Sequence, residues 1–333
     1  MRRHSVITGI LSFFAAASTA GVASADDVRH FSFAYDQPKT TAYGIAGDTF
    51  AAKLAELSHN TMVIDQFPGA QLGQEPQVLQ KLRTGDVDFS ITSTANSATL
   101  QPEAGVFSIH FVFRSEDHLV KALQDPGVSK AFKDMINNKV QGARTLALAT
   151  MGFRDMYGKK EVHNVKDLDN VKIRVQATAT EDTMFPAYGA QTVHMPFGDV
   201  YTALQTGIVA MAENGINVFQ SNKHYEVAPI MSLTQHEANN NVIWVSDKVW
   251  NSLNDEQKKW VQGAADEVAK VEPPAALKLE NDSMAKLEKM GVKFVKGVDK
   301  SGFVKDAEPL QDKIAEQLGP GAVNVLHLVR DVK

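Results

Sequence analysis

The stretch from Asp255 to Met290 reads as helix for about 36 residues, and Pro273-Pro274 is its one interruption. A helix that long cannot sit under one small domain, so it is expected to run along two. The proline pair predicts a kink, because proline lacks the N–H that an interior helical position needs. The remaining length agrees. Of 333 residues, roughly 300 follow a leader-like N-terminus, more than a single core usually holds.

Strand-like and helix-like segments alternate through the rest of the chain. Phe31, Phe33 and Tyr35 share one side of a strand over 29–35, and Ala46, Phe50, Leu54 and Leu57 form one stripe of a helix over 41–58. A strand over 62–67 ends at Pro68-Gly69. A short helix over 76–83 stops at Gly85, and a third strand spans 87–92. The same grammar returns with strands over 145–149 and 171–176, a helix over 198–206 ended by Gly207, and a strand over 208–212. This β-α-β-α-β order predicts two α/β halves, each with a largely parallel sheet. No low-complexity linker separates them, so ordered strands are expected to carry the chain across.

Composition narrows the function. Arg2-Arg3, an apolar run from Val6 to Val22, and Ala23-Ser24-Ala25 before Asp26-Asp27 have the layout of a secretory signal peptide, residues 1–25. Its removal takes two positive charges away and moves the formal charge from −5 to about −7. No later stretch reaches the ~20 apolar residues of a membrane span. An acidic chain without basic runs is a poor ligand for nucleic acid. With no cysteine, disulfides, thiolate metal sites, a cysteine nucleophile and a lipid-anchored cysteine are all excluded.

Catalytic motifs are missing as well. There is no Gly-x-Ser-x-Gly elbow, no phosphate loop and no dinucleotide fingerprint, and none of the ten histidines has zinc-helix spacing. Arg174 is the residue that stands out. In Val171-Lys172-Ile173-Arg174-Val175 it lies opposite the apolar face, near the strand end where open α/β sheets bind ligands. Its planar fork of donors suits a carboxylate, although an arginine on a strand also serves commonly as a surface ion pair.

The segment from Met195 to Gly207 (MPFGDVYTALQTG), followed by Ala212-Glu213-Asn214, resembles the solute receptors of tripartite ATP-independent periplasmic (TRAP) transporters. Gln71-Leu72-Gly73, Gly85-Asp86-Val87-Asp88-Phe89, Gly152-Phe153-Arg154 and Lys172-Ile173-Arg174-Val175 stand in that family's order, so the resemblance covers nearly the whole mature chain. It implies a two-lobed α/β periplasmic binding protein, type II-like. Lobe 1 would hold 26–151 plus about 237–280, and lobe 2 would hold 152–236 plus about 281–333, with the long kinked helix spanning both.

The resemblance also implies a site. Arg174 would clamp the ligand carboxylate, with Arg154 as a second arginine and Asn214 as an amide donor. Tyr35, Glu75 and Ser93 match cleft-lining positions, Phe197 an apolar wall, and His236 and Asn239 the return segment. Glu75 could instead cap the helix beside it, and Phe197 could be ordinary core. The implied partners are a small organic acid and the small and large membrane subunits of a transporter. The receptor is expected to be monomeric, with no cofactor, no metal and no catalytic residue. The polar groups favour a sugar acid or hydroxy acid. A C4-dicarboxylate is the alternative, with Arg154 serving its second carboxylate, and a periplasmic lyase or hydrolase acting on sugar acids is a remote one. A sensory role is compatible with the same binding fold. Two positions depart from the family's usual pattern, His194 in place of proline and Ala210 in place of aspartate.

The leader yields a direct prediction. Exported protein should begin at Asp26, and mass spectrometry of the periplasmic fraction checks it; a chain that still carries Arg2 would contradict the cleavage site.

Overall fold

The computed structural model describes residues 28–333, so the expected signal peptide lies outside the described residues. The strands are β1 (Arg29–Ala34), β2 (Met62–Phe67), β3 (Phe89–Ser93), β4 (Ala143–Gly158), β5 (Lys172–Val175), β6 (Gln191–His194), β7 (Met211–Asn214), β8 (Ile230–Ser246) and β9 (Lys293–Val295). The helices are α1 (Ala42–Leu57), α2 (Glu75–Thr84), α3 (Thr94–Ser97), α4 (Glu116–Gln124), α5 (Pro126–Asn137), α6 (Glu181–Ala187), α7 (Val200–Thr206), α8 (Ile216–Ser221), α9 (Asp247–Ser252), α10 (Asp255–Lys289), α11 (Ser301–Leu318) and α12 (Pro320–Asp331).

The strands form one sheet in the order β2-β1-β3-β8-β4-β7-β5-β6, and β9 pairs with β8. Its two ends are built alike. At one end β1 lies parallel between β2 and β3, and at the other β5 lies parallel between β6 and β7. Between them run β4 and β8, long antiparallel strands that pair with each other from Ala143–Ser246 to Gly158–Ile230. Each therefore serves both ends: β8 meets β3 near its C-terminus, and β4 meets β7 near its own. Register shifts interrupt the ladder at Thr145/Ala147, Thr150/Phe153 and Arg154/Met156. Such bulges bend a strand and redirect its side chains. Gly152 sits in the second, at φ +84, where an added Cβ would lie 2.9 Å from Glu280 Cγ.

Two expectations change in detail. The strand over 145–149 is only the start of β4, which continues because nearly all of its residues are buried. The strand over 208–212 begins later, at Met211. Gly207, at φ +77, turns the chain after α7, Ile208 is left 59% exposed, and pairing resumes with Ala210 N–H donating to Lys172 O at 2.9 Å. Aspartate is therefore not required at 210 for that bond.

The long helix α10 does run along both ends of the sheet. Val261, Ala264, Ala265, Val268 and Ala276 pack with Phe33, Phe50 and Phe89, whereas Leu287 packs with Tyr157, Val200 and Phe219. It also continues through its prolines as one helix. Pro273 and Pro274 cannot donate to the carbonyls four residues back, Ala269 and Lys270. Gln124 Nε2, at the end of α4, takes both, at 3.4 and 3.0 Å. On the sheet side Glu272 is fully buried and accepts from Thr150 N–H at 3.0 Å, tying the helix to β4. At the C-terminus α12 packs on α5.

If Gln124 substitutes for the missing helical donors, Gln124→Ala should lower stability by about 1 kcal/mol, the net value of one hydrogen bond. Amide exchange should rise around 269–278 by mass spectrometry, with ligand affinity unchanged. Unaltered exchange there would mean that water serves those carbonyls equally well.

Candidate functional site

A small cavity of about 20 Å3 lies where the two ends of the sheet face each other. The parallel strands supply it from their C-terminal ends, where a sheet of this kind leaves a crevice. Asp36 and Gln37 follow β1, Ser93 ends β3, Arg174 and Gln176 close β5, and Asn214 ends β7. Arg154 comes from β4 and Asn239 from β8. Hydrogen bonds join the two rims: Asn222 Nδ2 to Gln37 Oε1 at 3.0 Å, Gly198 N–H to Gln74 Oε1 at 3.2 Å, and Gln176 Nε2 to Ser93 Oγ at 2.9 Å. The cleft is closed.

The two arginines differ in what surrounds them. Arg154 is 1% exposed and paired with two carboxylates. Its Nε bonds Glu213, its Nη2 reaches Glu213 Oε1 at 2.6 Å, and Glu237 Oε2 stands 3.3 Å away. Burial works to lower its pKa, but Glu213 and Glu237 outweigh that and raise it. Arg174 is just as enclosed, at 2% exposed, yet has no ion pair among the described residues. Its Nε and Nη2 donate to Met195 O at 3.2 and 2.9 Å, and its guanidinium lies 5.9 Å from the Phe197 ring. Burial therefore pulls its pKa below the ordinary value; Glu213 opposes that and Arg154 adds to it. Arg174 is the buried cation still short of an anion. Two of its donors hold the backbone that leads to Phe197.

Glu75 is 4% exposed, and its two oxygens accept from Tyr43 OH, Ser93 N–H, Ser93 Oγ and Asn96 Nδ2 at 2.7 to 3.0 Å. It does not cap its own helix, where Gln74 is the N-cap residue. Its carboxylate instead braces the start of α3 under the cavity floor, and protein donors saturate it. Phe197 is half-buried and lines the cavity, with its ring 5.3 Å from His224, so it is not closed core. Asn214 Oδ1 accepts from Gly215 N–H and Asn239 Nδ2, both at 2.9 Å, which aims the Asn214 amino group and the Asn239 carbonyl elsewhere.

Two expected residues lie away from the cavity. Tyr35 packs on Phe33 and Tyr43 and bonds Gln66 Oε1 at 2.8 Å, and it is Tyr43 that reaches the cavity. His236 sits behind the cleft, its ring 4.8 Å from that of His110 and its Nδ1 2.8 Å from Thr234 Oγ1. It stands three positions from Asn239 on an alternating strand, hence on the other face. His110, His236 and Glu237 lie close enough to suggest a cation site, but Arg154 already supplies the positive charge beside Glu237. His194 is also outside the cavity, bonded on the surface to Asp182 Oδ1 at 2.7 Å. Asp36, Gln37, Asn96 and Gln176 line the cavity without having been singled out in the sequence.

The model for bacterial extracellular solute-binding proteins of family 7 matches residues 33–318. The chain belongs to that family. This solute-binding protein is 26% identical over 298 residues to the 2,3-diketo-L-gulonate-binding periplasmic protein YiaO of Escherichia coli, covering 89% of this chain and 88% of the relative. It superposes with a TM-score of 0.84 on a TRAP periplasmic solute-binding protein of Roseobacter denitrificans holding β-D-glucuronate (27% identity, 92% of this chain, 100% of the other). The score is 0.85 against the sugar acid binding protein of Advenella mimigardefordensis with galactonate (27% identity, 92% and 99%). The two-lobed fold, the TRAP class and a periplasmic location follow from this membership. Receptors of the family bind small acids and work with membrane components. Among the described residues of this one, no helix is long and apolar enough to cross a membrane.

The buried acids behind Arg154 give a pH signature. Burial, with Glu213 adding, pushes Glu181 up to about 8, and burial together with Glu181 raises Glu237. Groups that hold protons more tightly folded than unfolded contribute stability that is complete below the unfolded carboxylate value, near 4.3. That stability is lost as pH rises through their folded values. The melting temperature of the unliganded protein should therefore fall from about pH 5 to pH 9, and Glu181→Gln should flatten the slope. A melting curve that is independent of pH would show that these groups are ionised throughout.

Proposed function

We propose that this solute-binding protein captures a monocarboxylic sugar acid or hydroxy acid and presents it, as a monomer, to the small and large membrane subunits of a TRAP transporter, without transforming it. The observation that carries this reading is the match between unspent groups and ligand. Arg174 Nη1 and the Asn214 amino group make no hydrogen bond to another described residue, and both are donors. Asp36, Gln176 Oε1 and Asn239 Oδ1 are acceptors without another described donor, apart from Gln37 Nε2 on Asp36 at 3.0 Å. A carboxylate pairs with the first set and hydroxyls with the second. The free space of about 20 Å3 is room for about one water, so a sugar acid enters only if the lobes part.

The relatives support the same class, since sugar acids occupy two matched structures and are named for the Escherichia coli relative. Arg154 is already neutralised by Glu213 and Glu237, which disfavours it as the partner of a dicarboxylate's second carboxylate. Lobe 1 is proposed as 26–151 plus about 237–280 and lobe 2 as the remainder, with closure by bending of β4 and β8 at their bulges. Glu75, saturated by four donors, is poorly placed to act as a general acid or base.

Calorimetry with a panel of organic acids tests the reading. Arg174→Ala should weaken binding by about 2–5 kcal/mol, roughly 30-fold to several thousand-fold. Arg174→Lys should also bind poorly, because the planar fork is lost. Wild-type affinity in both variants, or turnover of the acid on incubation, would overturn the proposal.

A further inference from the structure

Asp36 is the acidic group in the cavity whose oxygens are not already taken. Glu75 is the nearest comparison, and protein donors fill both of its oxygens. Asp36 receives one side-chain bond, from its neighbour Gln37, although it is 8% exposed. It also stands at a boundary. The inner cavity and an outer groove of about 360 Å3, running past Gly69, Gln74 and Asn222, share Asp36 and Phe197. A ligand with its carboxylate on Arg174 thus has Asp36 beside the part of its chain that points toward the mouth.

Resting on the proposed function, we infer that Asp36 is the specificity-determining residue, selecting ligands with a chain hydroxyl and rejecting those with a second carboxylate. The selection follows from hydrogen-bonding capacity. A hydroxyl both donates and accepts, so it pairs with Asp36 in either protonation state. A second carboxylate can only accept, so it pairs with the protonated acid and is repelled by the ionised one. The groups facing Asp36 are Gln37 beside it, Glu75 on the floor with Tyr43 bonded to it, Arg174 and Arg154 across the cavity and His224 in the outer groove. Burial and Glu75 raise its carboxyl well above the usual range, against Gln37 and Arg174. His224, kept neutral by burial with a pKa near 4, adds no charge at neutral pH. Discrimination is therefore expected to sharpen as pH rises and Asp36 ionises.

The test is calorimetry with galactonate and succinate, from neutral to mildly alkaline pH, on wild type, Asp36→Asn and Glu75→Gln, with apo melting curves for each. In the wild type the preference for galactonate should grow with pH. Asp36→Asn keeps the shape without the charge. It should hold the preference flat and narrow it roughly ten- to a hundredfold at the alkaline end, the equivalent of one hydrogen bond to a charged group. Glu75→Gln should lower the melting temperature and, because the Glu75 charge helps to raise the Asp36 carboxyl, move the same pH trend to lower pH without abolishing it. A wild type that binds galactonate, with an Asp36→Asn variant of unchanged preference, overturns the assignment of Asp36 alone. The same holds if Glu75→Gln, and not Asp36→Asn, removes the pH trend. A wild type that binds no acid overturns the proposed function, and this inference with it.

Discussion

Arg154 lies enclosed between Glu213 from β7 and Glu237 from β8, at the point where the crossing strands pass from one end of the sheet to the other. Breaking such a buried pair by removing one partner costs about 3–5 kcal/mol, because the other charge is stranded. The pair therefore holds three elements together at the level of the cleft. It also decides the cleft's chemistry. With Arg154 neutralised by two carboxylates, the unpaired positive charge at the cavity is that of Arg174, the group to which the proposed ligand carboxylate is assigned. A net charge of −5 over the whole chain opposes an anion at long range. The binding energy must come from this local, desolvated donor set.

Much of the fold was legible because its signals are periodic or positional. The helix over 255–290 declared itself by length, and its role in spanning both ends is visible in the two clusters it touches. What the pattern could not reveal is why prolines are tolerated there, since Gln124 is about 145 residues away in the chain. The parallel units were legible from alternating strand and helix. The lengths of β4 and β8 were not, because strands buried on both faces lose the period-2 alternation that marks an amphipathic strand.

The site was legible unevenly, for a related reason. Arg174 stood out because it lies opposite the apolar face of a strand, near the strand's end. Tyr35 and Asp36 show the opposite case. The alternation of Phe31, Phe33 and Tyr35 already put Tyr35 on the face that packs against α1, where its ring meets Phe33 and Tyr43. By the same period the next residue, Asp36, faces the other way, so the cavity residue could have been found from the strand pattern itself. Glu75 was a different difficulty. Its four donors come from Tyr43, Ser93 and Asn96, on α1, at the end of β3 and on α3. No local pattern reports that a carboxylate is saturated by residues on other elements.

The contacts across the mouth suggest how binding and closure are linked. Asn222 with Gln37, Gly198 with Gln74, and Gln176 with Ser93 are neutral hydrogen bonds. Each is worth about 1 kcal/mol net against water, and the two at the outer rim less where solvent competes. Such bonds set the rims in register, and water can replace each of them where the rims are exposed. A ligand that joins Arg174 and Asn214 on one side to Asp36 on the other adds charge-assisted bonds made in full only when the rims meet. Its differential affinity for the closed form is what shifts the population. Under the proposed function, weak rims and a charge-matched centre would make closure depend on ligand chemistry, as a receptor that must both capture and release its cargo requires.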